Sequence, residues 1–303
     1  TLQINGASVT TTGAQSYGEN ISLGRAVTLT ASDISSAGTL NLGANTLTLN
    51  TPSDMAIAGV ISGTGGAVTK QGAGALTLSG ANTFTGGMTI SQGTLKVGVS
   101  SVGSTSGAMG TGSVTVQSGS VVDLNGFTVA NALNITGTGI GNTGVLINSS
   151  TTAATASGTV TVAANATLGG TGAMTLSGAV GAGSNTVTFV NASGFTATHT
   201  SNSIQNIAIS NSALTLKTNQ ALSVAASSLS GNTTLQTVAA DKDITVSGAI
   251  TNNLNDNTLT LMAARDIVFS SSVSGSSGKA LNVYAYSDTD KSNAGGIRFG
   301  SFI

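Results

Sequence analysis

The sequence predicts an all-β fold, specifically a parallel β-helix (β-solenoid) of about 20 residues per turn. Short segments in which apolar and polar residues alternate recur along the whole chain, and Gly, Asn or Ser separates them. Several of these segments recur at a constant spacing. The 303 residues are 39 % hydrophobic, so the chain has enough apolar side chains to form a folded core.

The alternating segments predict the strands. In each, two aliphatic residues flank one polar residue, so a strand would point the aliphatic pair inward and the polar residue outward. No stretch of useful length shows the periodicity of a helix, and the 42 glycines would weaken one. Clear examples lie at residues 27–29, 47–49, 76–78, 95–97, 114–116, 160–162, 214–216 and 259–261.

The spacing of the segments predicts how they stack. Leu76, Leu95, Val114 and Leu133 follow one another in steps of 19 residues. A turn of this length cannot bury its own apolar face, so neighbouring turns must stack on one another. With rungs about 4.8 Å apart, the whole chain would form a rod on the order of 70 Å long.

The competing β folds are a sandwich and a barrel. Both favour longer strands joined by hairpins, for which Asn-Gly or Asp-Gly turns are the strongest signal. Asn-Gly occurs at 5–6 and 125–126 but does not recur at hairpin spacing. The solenoid is therefore the favoured fold.

Charge is scarce and unevenly distributed. No charged residue occurs between Leu124 and Leu216, whereas 12 of the 19 charged residues lie at Lys217 or beyond. We predict one continuous solenoid over 1–303 with a change in amino-acid composition near 217. Residues 1–216 are rich in Gly, Ser and Thr, and 217–303 are more charged. The net charge of −1 argues against nucleic acid as a partner.

Few residues suggest catalysis or metal binding. His199 is the only histidine and cysteine is absent, so a catalytic triad or a zinc site is not expected. The pairs Asp241/Asp243 and Asp288/Asp290 could share one strand face, as the carboxylates of a polysaccharide-processing β-helix enzyme would. Their neighbours Lys242 and Lys291 favour solvated turns and local ion pairs instead.

A calcium loop at 288–296 would lack a closing Glu. We therefore predict no catalytic, cofactor-binding or metal-binding residue and no enzyme activity. A cleft gathering Asp241, Asp243, Arg265 and Asp266 would contradict this prediction.

Thr-x-Thr units are common, for example at 28–30, 46–48, 159–161, 186–188 and 258–260. Flat rows of threonine on a solenoid can order water, so an ice-binding protein is a further alternative. The units are unevenly spaced along the sequence, and the β propensity of threonine is the favoured explanation.

The segment from Gly65 to Gly98 carries a long motif. It reads Lys-x-Gly-x-Gly-x-Leu-x-Leu-Ser-Gly-x-Asn-x-Phe-x-Gly and continues with Ile-x-x-Gly-x-Leu. This segment resembles the passenger-associated repeat of bacterial autotransporters. Residues 9–17 and 259–268 resemble filamentous-haemagglutinin-like exoproteins of two-partner secretion. Together these resemblances cover about half of the chain.

The resemblance implies a right-handed β-helix that crosses the outer membrane through a β-barrel translocator and becomes surface-exposed or secreted. It further implies an adhesive stalk segment whose ligand lies on host cells, matrix or polysaccharide. No catalytic residue is carried over by it. Because the ends of a solenoid expose unpaired strand edges, end-to-end self-association is also expected.

Overall fold

A computed structural model describes residues 1–190, 193–292 and 294–300. The chain forms an all-β parallel β-solenoid of about 13 turns with about 21 residues per turn. Every pairing between the strands described below is parallel. Consecutive turns therefore lie one above the other, as the sequence predicts.

The first seven turns contain short strands separated by corners. In chain order these strands are β1 Leu2–Ile4, β2 Ser8–Thr10, β3 Gln15–Tyr17, β4 Ile21–Leu23, β5 Val27–Thr30, β6 Ile34–Ser36, β7 Leu40–Asn41, β8 Thr46–Asn50, β9 Met55–Ile57, β10 Ile61–Ser62, β11 Ala67–Gln71, β12 Ala75–Leu78, β13 Met88–Ile90, β14 Gly93–Val97, β15 Val114–Val116, β16 Ser120–Asp123, β17 Thr128–Val129, β18 Leu133–Gly137, β19 Leu146–Asn148 and β20 Ala154–Ala156. A short 3-10 helix, Ile140–Asn142, precedes β19.

Several later strands are longer and continue around a corner from one face to the next. The later strands are β21 Val160–Gly170, β22 Met174–Leu176, β23 Val180–Phe189, β24 Phe195–Ala197, β25 Ser203–Thr218, β26 Leu222–Val224, β27 Ser227–Thr237, β28 Ile244–Val246, β29 Ile250–Asn252, β30 Asn257–Met262, β31 Ile267–Phe269, β32 Val273–Gly275, β33 Leu281–Tyr286 and β34 Ile297–Phe299.

Alternation along each strand builds one continuous core inside the coil. In β5, for example, Val27 and Leu29 are buried while Thr28 and Thr30 point outward. The same pattern on each turn stacks aliphatic side chains into interior columns. The apolar side chains of each turn are therefore shielded by the turns above and below it.

The spacing prediction is confirmed in part. Leu76 pairs with Leu95 at the predicted step of 19 residues. The predicted step from Leu95 to Val114 is wrong, because Leu95 pairs with Val122 and Val114 pairs with Met88. The reason is a corner excursion over residues 98–113 that lengthens this turn. The predicted step from Val114 to Leu133 is confirmed.

Buried asparagines bond the corners of neighbouring turns. They share a buried amide whose hydrogen bonds are made mostly with backbone groups, and they are Asn82, Asn131, Asn148, Asn202 and Asn252. Corners leave backbone groups outside the ladder, and a buried unpaired group is costly. These amides satisfy several of those groups.

Within the described ranges, no helix is long and apolar enough to cross a membrane.

Candidate functional site

The motif at 65–98 places a lysine inside the solenoid. Lys70 is an inward residue of β11 and pairs with Leu49 on one side and with Ile90 on the other. Its Nζ donates hydrogen bonds to the carbonyl oxygens of Gln71 at 2.8 Å and Gly72 at 2.7 Å. Burial lowers the pKa of Lys70 to about 8, although the charge of Asp54 acts in the opposite direction.

The glycines of the motif allow a close approach between turns. Gly72 has a φ of +78°, and a Cβ there would collide with the backbone of Thr51 in the preceding turn. A Cβ on Gly74 would collide with the backbone of Ser53. Only glycine lets the corner after Lys70 lie this close to its neighbour.

Asn82 and Phe84 of the motif are also interior. Asn82 accepts a hydrogen bond from Ile61 N at 2.7 Å and donates one to Ala108 O at 2.6 Å. Phe84 is fully buried. The motif therefore specifies the packing of two stacked turns.

Two threonine columns run along the outside of the rod. The short threonine column lies on one face and consists of Thr28, Thr48, Thr69, Thr89 and Thr115 on five successive turns. The long threonine column lies on another face and occupies seven successive turns. Its members are Thr128, Thr155, Thr175, Thr196, Thr215, Thr234 and Thr260.

The columns could not be read from sequence spacing. Thr128 and Thr155 are 27 residues apart and Thr196 and Thr215 are 19 apart, yet both pairs are in register. Corners of different length absorb the difference, because register is set by strand pairing. The uneven spacing of threonine in the sequence therefore does not interrupt either column.

The C-terminal turns bring together the charged residues that the sequence singled out. Arg265 Nε donates to Asp243 Oδ1 at 2.8 Å, and Asp266 N donates to the same oxygen at 3.0 Å. Arg298 Nη2 lies 3.1 Å from Asp266 Oδ2. Asp243 also lines a shallow depression of about 240 Å³ between neighbouring turns.

The carboxylates of this cluster are neutralised by its arginines. The hydrogen bond from Arg265 is the main cause that lowers the pKa of Asp243, and Asp243 in turn raises the pKa of Arg265. A general acid in a glycosidase needs the opposite shift, toward a higher pKa. The geometry is that of an ion-pair network between turns.

The aspartate pairs at 241/243 and 288/290 lie outside the strands, so their i, i+2 spacing does not place them on a strand face. Asp241 N donates to Asp290 Oδ2 at 3.4 Å, and Ser292 N donates to Asp290 Oδ1 at 3.1 Å. The Ser292 hydroxyl is the largest cause that lowers the pKa of Asp290. Ser292 Oγ also donates to Asp288 Oδ1 at 3.2 Å.

His199 is exposed, and its Nδ1 accepts a hydrogen bond from Ser201 N at 3.1 Å. No group of three or more metal-ligand side chains converges among the described residues. A cavity of about 530 Å³ is apolar and lies among the last described strands. Its lining residues are Phe269, Ser271, Val273, Val283, Ala285, Ile297 and Phe299.

Comparison with known proteins identifies the motif. The model of the passenger-associated-transport-repeat family matches residues 68–97. A search of curated proteins and a search of solved structures each gave no match. The matched segment runs from β11 to β14 and includes Lys70, Asn82 and Phe84. A parallel β-solenoid that carries this repeat fits an autotransporter passenger, a class associated with an outer-membrane translocator.

Proposed function

We propose that this chain is an adhesive stalk segment of a secreted bacterial surface protein, and that the long threonine column is its attachment face. The observation that carries the proposal is that column, an unbroken row of outward hydroxyl groups over seven turns. Hydroxyl groups donate and accept hydrogen bonds at once, which suits a hydroxylated ligand surface.

The proposed ligand class is glycan on host cells, matrix or biofilm. The neighbouring outward positions support a glycan rather than ice. Beside the long threonine column stand Lys217, Gln236 and Met262, which differ in size and charge from turn to turn. A surface that orders ice would need neighbouring flat rows of one residue type.

A bead assay tests the attachment face. Beads coated with the chain should adhere to epithelial cells and to biofilm matrix. Thr196→Glu/Thr215→Glu should reduce adhesion severalfold, because charge is introduced in the middle of the long threonine column. The matched control is Thr48→Glu/Thr69→Glu on the other face, which should adhere like the parent. Equal adhesion by all three proteins would contradict the proposal.

The enzyme alternative depends on the cluster of Asp243, Asp266 and the two arginines. It predicts release of reducing sugar from polysaccharide, with loss of that activity in Asp243→Asn. We propose that the chain is not an enzyme, because the cluster carboxylates are paired with arginine. Reducing sugar released by the parent and not by the variant would overturn this proposal.

We further propose that the chain passes through an outer-membrane β-barrel during secretion and folds at the surface or in the medium. The passenger repeat supports this route. A chain without cysteine cannot form a disulfide that would obstruct the pore. End-to-end self-association remains a prediction, and the apolar cavity near the last strands would be its contact.

A further inference from the structure

The long threonine column leads into an aromatic surface. Thr260 of β30 pairs with Tyr284 of β33, and Met262 pairs with Tyr286. Both tyrosines point outward, and each residue is 52 % exposed. Two of the three tyrosines in the chain are thus placed side by side on one outer face.

Four further outward residues complete this surface. Thr258 precedes Thr260 on β30, and Asn282 pairs with Thr258 from the neighbouring strand. Thr258 N donates to Asn232 Oδ1 at 2.9 Å, which fixes the corner that leads into β30. We call the six residues the tyrosine patch: Thr258, Thr260, Met262, Asn282, Tyr284 and Tyr286.

The outward orientation of the two rings follows from strand direction. In β33, Val283 and Ala285 occupy the inward positions, in line with Leu259 and Leu261 of the buried core. The tyrosines alternate with them and therefore face away from the core. They would remain on the outer face whatever packs against the last turn.

We propose that the tyrosine patch binds an uncharged polysaccharide. This inference rests on the proposed adhesive function and names its ligand class and position. A tyrosine ring offers an apolar face with a polar hydroxyl at its end, and it loses little conformational entropy on binding. The apolar face can cover the C–H face of a sugar ring. Its hydroxyl and the neighbouring amide and threonine groups can bond to sugar hydroxyls.

The absence of charged side chains in the patch favours some ligands over others. None of its six side chains is charged, so it lacks the Lys or Arg that would bind carboxylate, sulfate or phosphate groups. Lys217 lies in register with this face, but three turns from Tyr286. The pattern therefore favours neutral sugars over polyuronates, sulfated glycans and teichoic-acid-like polymers.

The test measures binding of the complete chain to immobilised dextran, galactomannan and cellulose, with polygalacturonate and heparin as acidic counterparts. We expect retention on at least one neutral polymer and weaker retention on both acidic ones. The chain has no tryptophan, and two of its three tyrosines lie in the patch, so a change in tyrosine emission that persists in Tyr17→Phe reports binding at the patch. Thermal unfolding confirms that each variant is folded.

Tyr284→Ala/Tyr286→Ala should weaken binding of the neutral polymer about tenfold or more, as expected when two aromatic contacts are lost. Tyr284→Phe/Tyr286→Phe should retain most of the affinity, because the ring faces remain. Thr48→Ala/Thr69→Ala on the short threonine column is the matched control and should bind like the parent. Equal binding by the double alanine variant, or preference for acidic polymers, would overturn the inference.

The two proposals fail separately. If the beads adhere and Tyr284→Ala/Tyr286→Ala still binds polysaccharide with full affinity, the adhesive function is supported. The tyrosine patch is then not its ligand site. Adhesion only to protein-coated surfaces, with no polysaccharide bound by the parent, would refute the patch as a glycan site. Beads that adhere to no surface would refute the adhesive function itself.

Discussion

Lys70 shows how one residue of the passenger repeat stabilises a corner. Its aliphatic stem fills a place in an interior column, between Leu49 and Ile90. Its ammonium group reaches carbonyl oxygens at the corner, including Gln92 O of the next turn at 3.5 Å. A charge buried without such partners would be strongly unfavourable. The side chain therefore serves as both core and corner donor.

The lowered pKa of Lys70 predicts a dependence of stability on pH. The ordinary value is 10.5 and burial lowers the pKa to about 8, so between these values the unfolded chain binds more protons than the folded one. The free energy of unfolding should therefore rise with pH across this window, by about 2 kcal/mol between pH 7.5 and pH 10.

Urea unfolding at both pH values tests this against Lys70→Met, which should lack the rise. Lys96→Met is the control, because Lys96 points outward on β14, and it should behave like the parent. A rise of equal size in Lys70→Met would contradict a titrating interior lysine.

The position of Lys70 was available from the sequence, although its charge obscured it. Alternation from Val68 places Thr69 outside and residue 70 inside. The inward aliphatic residues were predicted by the same rule, as Val27 and Leu29 show. The interior carbonyl partners of Lys70 were not predictable, because they depend on the close stacking of the corner at Gly72.

Among the elements, buried asparagine side chains stabilise the corners, and parallel pairing fixes the register of the strands. Asn202 is fully buried, and its Oδ1 accepts a hydrogen bond from Val180 N at 2.8 Å. Its Nδ2 donates to Ala197 O at 2.9 Å and to Lys217 O at 3.0 Å. One side chain thus bonds to backbone from three segments.

Asn202→Ala should lower the free energy of unfolding by about 2–4 kcal/mol, because three buried backbone groups lose their partner. Asn206→Ala should cost less than about 1 kcal/mol, since that half-buried side chain makes a single bond, to Ser184 O. Chemical unfolding of both variants measures the difference. Similar losses for the two would show that Asn202 does not hold the corner.

Element lengths were predicted less well than element positions. The sequence predicts strands of three to five residues, whereas β25 runs over 16 residues from Ser203 to Thr218. Its register shifts near 210–212, where the strand turns from one face to the next without a break. Residue patterns cannot show this, because a smooth corner keeps the local alternation. The predicted division of the solenoid by amino-acid composition near Lys217 remains a prediction.

At the scale of the whole molecule, the threonine columns emerge only from stacking. Local alternation predicted that threonine faces outward, but column membership requires the register between turns. That register depends on corner lengths such as the excursion at 98–113. Likewise, the ion pairs of Arg265 with Asp243 and of Arg298 with Asp266 join residues 22 and 32 positions apart. The possible cleft considered from the sequence includes Asp243, Arg265 and Asp266 but not Arg298.

We propose that the solenoid is a surface-displayed passenger that adheres through its long threonine column. To test this, the chain is fused to an outer-membrane translocator barrel, and protease-resistant display and adhesion to an epithelial layer are measured on the same cells. We predict folded display and adhesion above that of the barrel alone, with Thr196→Glu/Thr215→Glu displayed equally but adhering at the level of the barrel. Folded display without added adhesion by the parent would contradict the claim.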